Sequence, residues 1–322
     1  MKISKPQDTV AQNIQFGVEI ETIIPQSAAI AIGRYHFGHP VYSGGEANTS
    51  QIVPAPSFAG QFWKAEEDSS IACPRNYNRC EFVSPRLQGE DGITCLREFI
   101  RFANRIGAKI NPSCGLHITV GIQSILGTTE TAAVTQFIRK LAHITQHNAW
   151  AIYAQTGTDR HHSNYAGTFS LEVERYVRQM TRSDADEAIS LAQRCGRKRI
   201  VNFLKAFKGP DSAVEFRAFA GTLDEARILH HLATAFGLIR RAATVQTFGR
   251  FDRKSTRKHG NIQNAVEALR RMWRLLGWVD STPGRDCALG LFGPLHSEFG
   301  TYRKAALEMA KTFEQRFPAA NL

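Results

Sequence analysis

Apolar and polar residues alternate at four or five places in this chain, and the alternation predicts strands. In NIQFGVEIETIIP, residues 13–25, Ile14, Phe16, Val18 and Ile20 occupy every second position. Glu19 and Glu21 then share the opposite face, because side chains along a strand alternate with a period of two. CGLHITVGI repeats the pattern, with Leu116, Ile118 and Val120 opposite His117 and Thr119. So does SAVEFRAFAG, with Val214, Phe216 and Ala218 opposite Glu215 and Arg217. FWKAEEDSS gives Lys64, Glu66 and Asp68 one parity, and in RCEFVSP Glu81 shares a parity with Val83, a less clean strand.

Elsewhere the period lengthens to that of a helix. DGITCLREFIRFANRIGA carries Ile93, Leu96, Phe99, Ile100, Ala103 and Ile106 at spacings of three and four. TETAAVTQFIRKLAHITQHNAWAIYA and DADEAISLAQRCGRKRIVNFLKAF each carry a continuous apolar stripe, separated by the polar loop TDRHHSNYAG. Thr222 and Glu225 have capping-box spacing at the head of LDEARILHHLATAFGLIRRAATV. After the basic stretch GRFDRKSTRKHG come two more helical patterns, NIQNAVEALRRMWRLLGWV and TYRKAALEMAKTFEQRF. With no internal repeat, low-complexity tract or long linker, the expected fold is α+β: an antiparallel sheet backed by helices. Residues 1–249 read as one domain, and 250–322 as a helical C-terminal extension packed on it.

Composition narrows the class. The 322 residues are 43% apolar and 21% charged, values of a soluble globular chain. No apolar run spans a bilayer, and MKISKPQDTVAQ has no apolar core of a secretory signal. Six scattered cysteines without C-x-x-C suggest reduced thiols and a cytoplasmic protein, not a disulfide framework or zinc ribbon. The formal charge of +11 favours acidic partners such as nucleotides, phosphorylated intermediates, anionic polymers or nucleic acid. For the charge alone, a solvated basic surface with no specific partner is the simpler explanation.

The chemistry lies on the polar strand faces. A solvated face accounts for any single run, but Asp, Glu and Lys have low strand propensity, and here they recur in several runs. Carboxylates set side by side repel unless a cation lies between them. An oxygen-rich set with one imidazole suits hard cations such as Mg²⁺ or Mn²⁺. An arginine among such acids balances phosphate that the metals also bind. Neither a P-loop nor a strand-linked G-x-G-x-x-G occurs, so no glycine loop is available to cradle a nucleotide.

In order, FGVEIE, WKAEEDSS, EFVSPRL, NPSCGLHITV and VEFRAFAGTLD resemble the amidoligase family, over about residues 13–245. That family is placed with glutamine synthetase and γ-glutamylcysteine synthetase among the carboxylate–amine ligases. The resemblance implies a curved antiparallel sheet forming an open funnel, with ATP and Mg²⁺ (or Mn²⁺) held between it and the substrates. It implies phosphorylation of a carboxylate by ATP, then attack of an amine on the acyl phosphate, with an amino acid, peptide or polymer as substrate. By the same resemblance Glu19, Glu21, Asp68, Glu81, His117 and Glu215 hold metal, and Arg217 lies beside the transferring phosphate. Glu215, Arg217 and His117 form the catalytic set, while Arg160 and Arg199 join Arg217 in binding cofactor. Thr119 stands where the family pattern often has a second histidine, so no second imidazole is available there.

Other segments invite further readings. Arg160 and Tyr165 touch substrate if the family's Arg-loop-Tyr segment is carried over; otherwise they belong to an exposed loop. Arg199 and Asn202, three residues apart on an expected helix, face phosphate or solvent together. Cys114 reads as a small buried thiol rather than a nucleophile. The stretch Arg250, Arg253, Lys254, Arg257 and Lys258, with Phe248 and Phe251, reads as a basic loop. Trp273, Leu275, Leu276 and Trp278 read as core or an oligomer contact. Two alternatives to a ligase stay open: a non-catalytic ligase-like scaffold binding nucleic acid or an anionic polymer, and a phosphotransferase of the same superfamily.

Overall fold

The computed structural model describes residues 12–33, 47–48, 63–169, 185–245, 264–278 and 291–317. The basic stretch Arg250–Lys258, most of the glycine-, proline- and serine-containing loops expected over 34–60, and Cys287 lie outside the described residues.

The central strand is the one whose alternation is cleanest. β1 (Gln15–Pro25) pairs antiparallel with β4 (Tyr77–Val83) on one side and β6 (Gly115–Gly121) on the other. Outward from β4 lie β3 (Lys64–Glu66) and β2 (Ala47–Asn48). Outward from β6 lie β8 (Ala213–Ala220) and the two-residue edge strand β7 (Val201–Asn202). A short β5 (Leu87–Gln88) pairs with the start of β1. These eight strands among the described residues form one antiparallel sheet that does not close, an α+β arrangement.

One face of the sheet is packed and the other is open. Phe16, Val18 and Ile20 of β1, Phe82 of β4, Ile118 of β6 and Phe216 of β8 are all buried on the packed face. Helix α1 (Gln26–Gly33) follows β1 directly. Helix α2 (Gly89–Arg105) begins with Glu90 and Asp91, acids that suit the positive end of the helix dipole. Its Phe99 stacks on Trp63 with ring centroids 3.6 Å apart and meets the edge of Phe82 at 5.0 Å. After α3 (Gln123–Leu126), α4 (Thr131–His147), α5 (Ala149–Ala154) and α6 (Ala185–Cys195) comes α7 (Glu225–Thr244). Phe236 of α7 packs edge-on against Phe16 at 5.4 Å. Each such aromatic contributes about 1.5–3 kcal/mol by leaving water, so the sheet rests on a rigid platform.

The C-terminal helices α8 (Ala265–Leu275), α9 (Gly293–Ser297) and α10 (Phe299–Arg316) join the same core. α8 and α10 pack against each other, and both pack on α5. Trp273, Leu276 and Trp278 are buried, and Trp278 meets the edge of Phe299 at 4.8 Å. No helix among the described residues is long and apolar enough to cross a membrane.

Three helical expectations change. The stripe over 129–154 breaks at Asn148, whose side-chain amide donates to the Ile144 carbonyl at 2.8 Å and separates α4 from α5. The stripe over 184–207 stops at Cys195, because Gly196 takes φ +66° and turns the chain toward β7. Arg199 and Asn202 therefore do not share a helix. The cap of α7 is Asp224, which accepts from the Arg227 N–H at 3.0 Å, while Thr222 accepts from the Asp224 N–H. A preceding turn has moved the N-cap two residues on, and with Arg227 at the third helical position no capping box forms.

Candidate functional site

Register decides which open-face side chains meet. Glu66 on β3 lies opposite Glu81 on β4, and Glu81 lies opposite Glu21 on β1. Glu19 lies opposite His117 on β6, Thr119 opposite Glu215 on β8, and Glu215 opposite Asn202 on β7. Five strands thus deliver a continuous band of acids with one imidazole near its middle.

A β-bulge shapes the band. From Leu116↔Phe219 to Ile118↔Phe216, β8 advances three residues while β6 advances two. The extra residue falls opposite His117. It lets Phe216 and Phe219 both reach the packed face while Arg217 stays on the open one.

His117 is the hub. Its Nδ1 lies 3.1 Å from Glu19 Oε2, 3.7 Å from Glu215 Oε1 and 3.8 Å from Glu81 Oε1. Its Nε2 lies 3.4 Å from Glu21 Oε1 and makes no hydrogen bond, although the residue is only 2% exposed. The other oxygen of Glu21 accepts from the Gly115 N–H. Two donor sets result, Glu19–His117–Glu215 and Glu21–Glu81–His117, each with its donor atoms within 4.8 Å of one another. An orphaned buried imidazole nitrogen among oxygen donors fits a hard divalent cation such as Mg²⁺ or Mn²⁺.

The electrostatics agree. Burial, reinforced by the charges of Glu19, Glu21, Asp68 and Glu66, pushes Glu81 up to about 8. Burial also acts to raise Glu19, but its bond to His117 and the charges of His117, Lys205 and Arg217 outweigh this and hold it below the usual carboxylate range. A cation between these acids would relieve the crowding that keeps a proton on Glu81.

Two arginines stand over the band. Arg217 Nη1 donates to Glu215 Oε1, and its Nε donates to the Tyr165 carbonyl at 3.4 Å. Arg160, from the 3₁₀ turn Arg160–His162, is 7% exposed and has no ion pair among the described residues. One of its amino groups donates to the Arg217 carbonyl at 3.4 Å, and its Nε has no partner. Burial pulls Arg160 below the guanidinium range; Glu21 opposes that shift and Arg217 adds to it. Gly115 makes room for it, since a Cβ there would lie 2.4 Å from Arg160 Nη2 and 3.1 Å from His117 Nε2. A buried guanidinium with no ion pair is costly, and the charge of Glu21 offsets only part of that cost.

Beyond Glu19, at the opposite end of the strands, a cavity of about 480 Å³ opens. Gly17, Thr119 and Gly121 form part of its lining, together with Ser84, Arg86, Lys205, Lys208 and Ser212. Arg86 is paired with Asp211 at 3.0 Å, leaving Lys205 and Lys208 as the lining lysines. The acid band therefore lies between a lysine-lined cavity and an arginine pair.

Of the expected metal ligands, Glu19, Glu21, Glu81, His117 and Glu215 converge. Asp68 belongs to neither donor set; its Oδ1 accepts from the Ser70 N–H at 2.7 Å, and it acts on Glu81 only through its charge. Arg199 donates from Nε to the Cys195 carbonyl and from Nη1 to the Thr168 carbonyl, both at 3.1 Å, so it clamps the loop before β7. Tyr165 is 41% exposed at the rim, its ring 4.5 Å from Lys198 Nζ. Cys114 is a buried thiol that burial pushes up to about 11. Sequence reasoning missed Glu66 as part of the band, although its parity was visible, and missed Lys205 and Lys208, which carried no local signal.

A family model described as "Putative amidoligase enzyme" matches residues 12–238. That span exceeds half of the chain, and the chain belongs to this family. No curated protein matches it.

Proposed function

We propose that this member of the amidoligase family is an ATP- and Mg²⁺-dependent carboxylate–amine ligase, with an open sheet related to that of glutamine synthetase and γ-glutamylcysteine synthetase. The observation that carries this reading is the convergence of four glutamates on His117 between two cationic flanks of different shape. The acids suit metal, the cavity suits a nucleotide, and the buried arginine suits a carboxylate.

Pockets of about 300–1,000 Å³ take small ligands, and the cavity beside Glu19 falls in that range. Lys205 and Lys208 supply the positive charge for a polyphosphate. Glu19, His117 and Glu215, or alternatively Glu21, Glu81 and His117, would hold the cation. Divalent metal bound there supplies charge neutralisation of the phosphates as they transfer. Arg160 holds the substrate carboxylate over Gly115, within reach of Glu21 and Arg217. One carboxylate oxygen attacks the γ-phosphorus of ATP, and the bond to the bridging oxygen breaks to release ADP. Arg217, oriented by Glu215 and the Tyr165 carbonyl, steadies the charge on the transferring group. The amine then attacks the acyl carbon, phosphate leaves with the bonding pair, and the amine loses a proton as the amide forms.

The test is ADP release by the full chain with Mg²⁺ across pairs of amino acids and peptides. Release that requires both a carboxylate and an amine, and yields an amide, supports a ligase. A phosphorylated product with no amide selects a phosphotransferase, and no ATP–Mg²⁺ binding rejects both. Once turnover is seen, Lys205→Ala is expected to raise the KM for ATP, and Arg160→Ala the KM for the carboxylate. Hydrogen bonds to charged groups are worth about 1.5–3 kcal/mol, so each KM should rise roughly 10- to 100-fold.

A further inference from the structure

We propose that Asn202 is a positioning residue that locks Glu215 in its metal-binding orientation. This rests on the reading of Glu215 as a metal ligand and assigns a role to a side chain outside both donor sets.

The edge strand β7 is two residues long, and it sets Val201 opposite Phe216 and Asn202 opposite Glu215. Asn202 is 7% exposed, and both ends of its amide are committed. Oδ1 accepts from the Leu204 N–H at 3.0 Å, which leaves Nδ2 to donate to Glu215 Oε2 at 2.6 Å. The flipped amide would set a carbonyl oxygen against a carboxylate and an amino group against an N–H, so only one orientation is satisfied. The direction of the donor is thereby determined by the backbone.

The bond matters because the terminal torsion of glutamate is soft and two-fold. Glu215 Oε1 faces Arg217 Nη1 and lies 3.7 Å from His117 Nδ1. With Oε2 held by Asn202, the carboxylate cannot swing, and Oε1 is the oxygen offered to the Glu19–His117 side. The segment behind Asn202 is itself tied down. The Ile200 N–H donates to the Gly167 carbonyl at 2.7 Å, and the Ile200 carbonyl accepts from the Arg217 N–H at 3.1 Å. Glu215, Arg217 and Asn202 are thus held by one backbone network, which couples the ligand's orientation to the arginine beside it.

The experiment measures Mn²⁺ affinity of the full chain by electron paramagnetic resonance of the free ion, with thermal stability and steady-state kinetics alongside. Asn202→Ala removes both hydrogen bonds. Asn202→Asp keeps an acceptor for the Leu204 N–H and replaces the donor to Glu215 with a carboxylate oxygen that repels it. Both variants are expected to bind Mn²⁺ about 10- to 100-fold more weakly, the usual cost of losing a group that orients a ligand. Turnover should fall in parallel through kcat, with the KM for the carboxylate unchanged. Wild-type affinity in Asn202→Ala would overturn the proposal. So would wild-type affinity in Asn202→Asp, which would reduce Asn202 to a turn former; this variant also decides the matter if the alanine protein does not fold. If the wild-type chain itself binds no Mn²⁺, the metal reading of Glu215 falls and this proposal with it. Binding that both variants share unchanged removes the role of Asn202 alone.

Discussion

Two histidines of this chain are about equally hidden from water and have opposite surroundings. His117, on the open face of the sheet, is 2% exposed; His230, in the helical layer beneath, is 1% exposed. His230 Nδ1 lies 2.7 Å from Gln155 Oε1, and Thr234 donates to the same oxygen at 2.9 Å. Gln155 and Thr234 are neutral, and burial, reinforced by the positive charge of Arg303, pushes His230 down to about 3, so it is uncharged and serves packing. His117 instead has carboxylates of Glu19, Glu21, Glu81 and Glu215 within 3.8 Å. Burial alone therefore does not distinguish a structural histidine from a candidate ligand. The charge of the groups around the ring does.

The largest effect that would separate the two regions is expected at His117. Because both donor sets share it, His117→Gln should lower turnover by roughly 10²–10³-fold, the scale of losing one preorganised electrostatic group. Mn²⁺ binding should fall with it, while the melting temperature stays close to wild type. Titration of both proteins with Mn²⁺ checks this, and undiminished binding in the variant would break the comparison.

His230→Ala should reverse the pattern. Leaving the Gln155 and Thr234 groups without their buried partner costs about 1–3 kcal/mol of stability. Activity per folded molecule and Mn²⁺ affinity are expected to hold. Denaturant unfolding paired with active-site titration measures both; a folded variant that no longer binds metal would contradict a purely structural role.

The third effect is a pH dependence without metal. Glu81 keeps its proton up to about pH 8 in the folded chain, whereas its ordinary value is 4.5. Between those values the folded state holds the extra proton, so stability falls as pH rises through that window. Glu19 works in the other direction, since its contribution is present above the ordinary carboxylate value and disappears only in more acidic solution. Melting curves from pH 5 to pH 8 should decline in chelator, and Glu81→Gln should flatten the decline. A slope unchanged by that substitution would assign the dependence elsewhere.

Much of the site was legible because a strand declares its faces locally. Glu19 and Glu21 share a side because they are two residues apart, and the same holds for Glu215 and Arg217. The helical stripes were legible as apolar runs but not in their ends: Gly196 stops one and Asn148 breaks another, through backbone angles and a side-chain bond that periodicity does not report. Asn202 is the clearest case. Helical spacing placed it on one face with Arg199, toward phosphate or solvent, whereas a turn at Gly196 makes it an edge-strand residue whose amide is spent on Glu215.

By itself the sequence determined the α+β class, the packed and open faces of the main strands, and a set of acids with one histidine suited to a hard cation. The amidoligase resemblance carried by FGVEIE, CGLH and VEFR was also readable there, and the family match bears it out. Only the tertiary structure decided that Glu66 continues the band, that Asp68 stays outside both donor sets, and that Arg160 fits over Gly115. It also decided that a lysine-lined cavity opens beyond Glu19 and that a bulge lies opposite His117. The reason is the range of the forces involved. Period and propensity act between neighbours along the chain, while register is set by pairing across it. His117 and Glu19 are 98 residues apart in sequence and 3.1 Å apart in space.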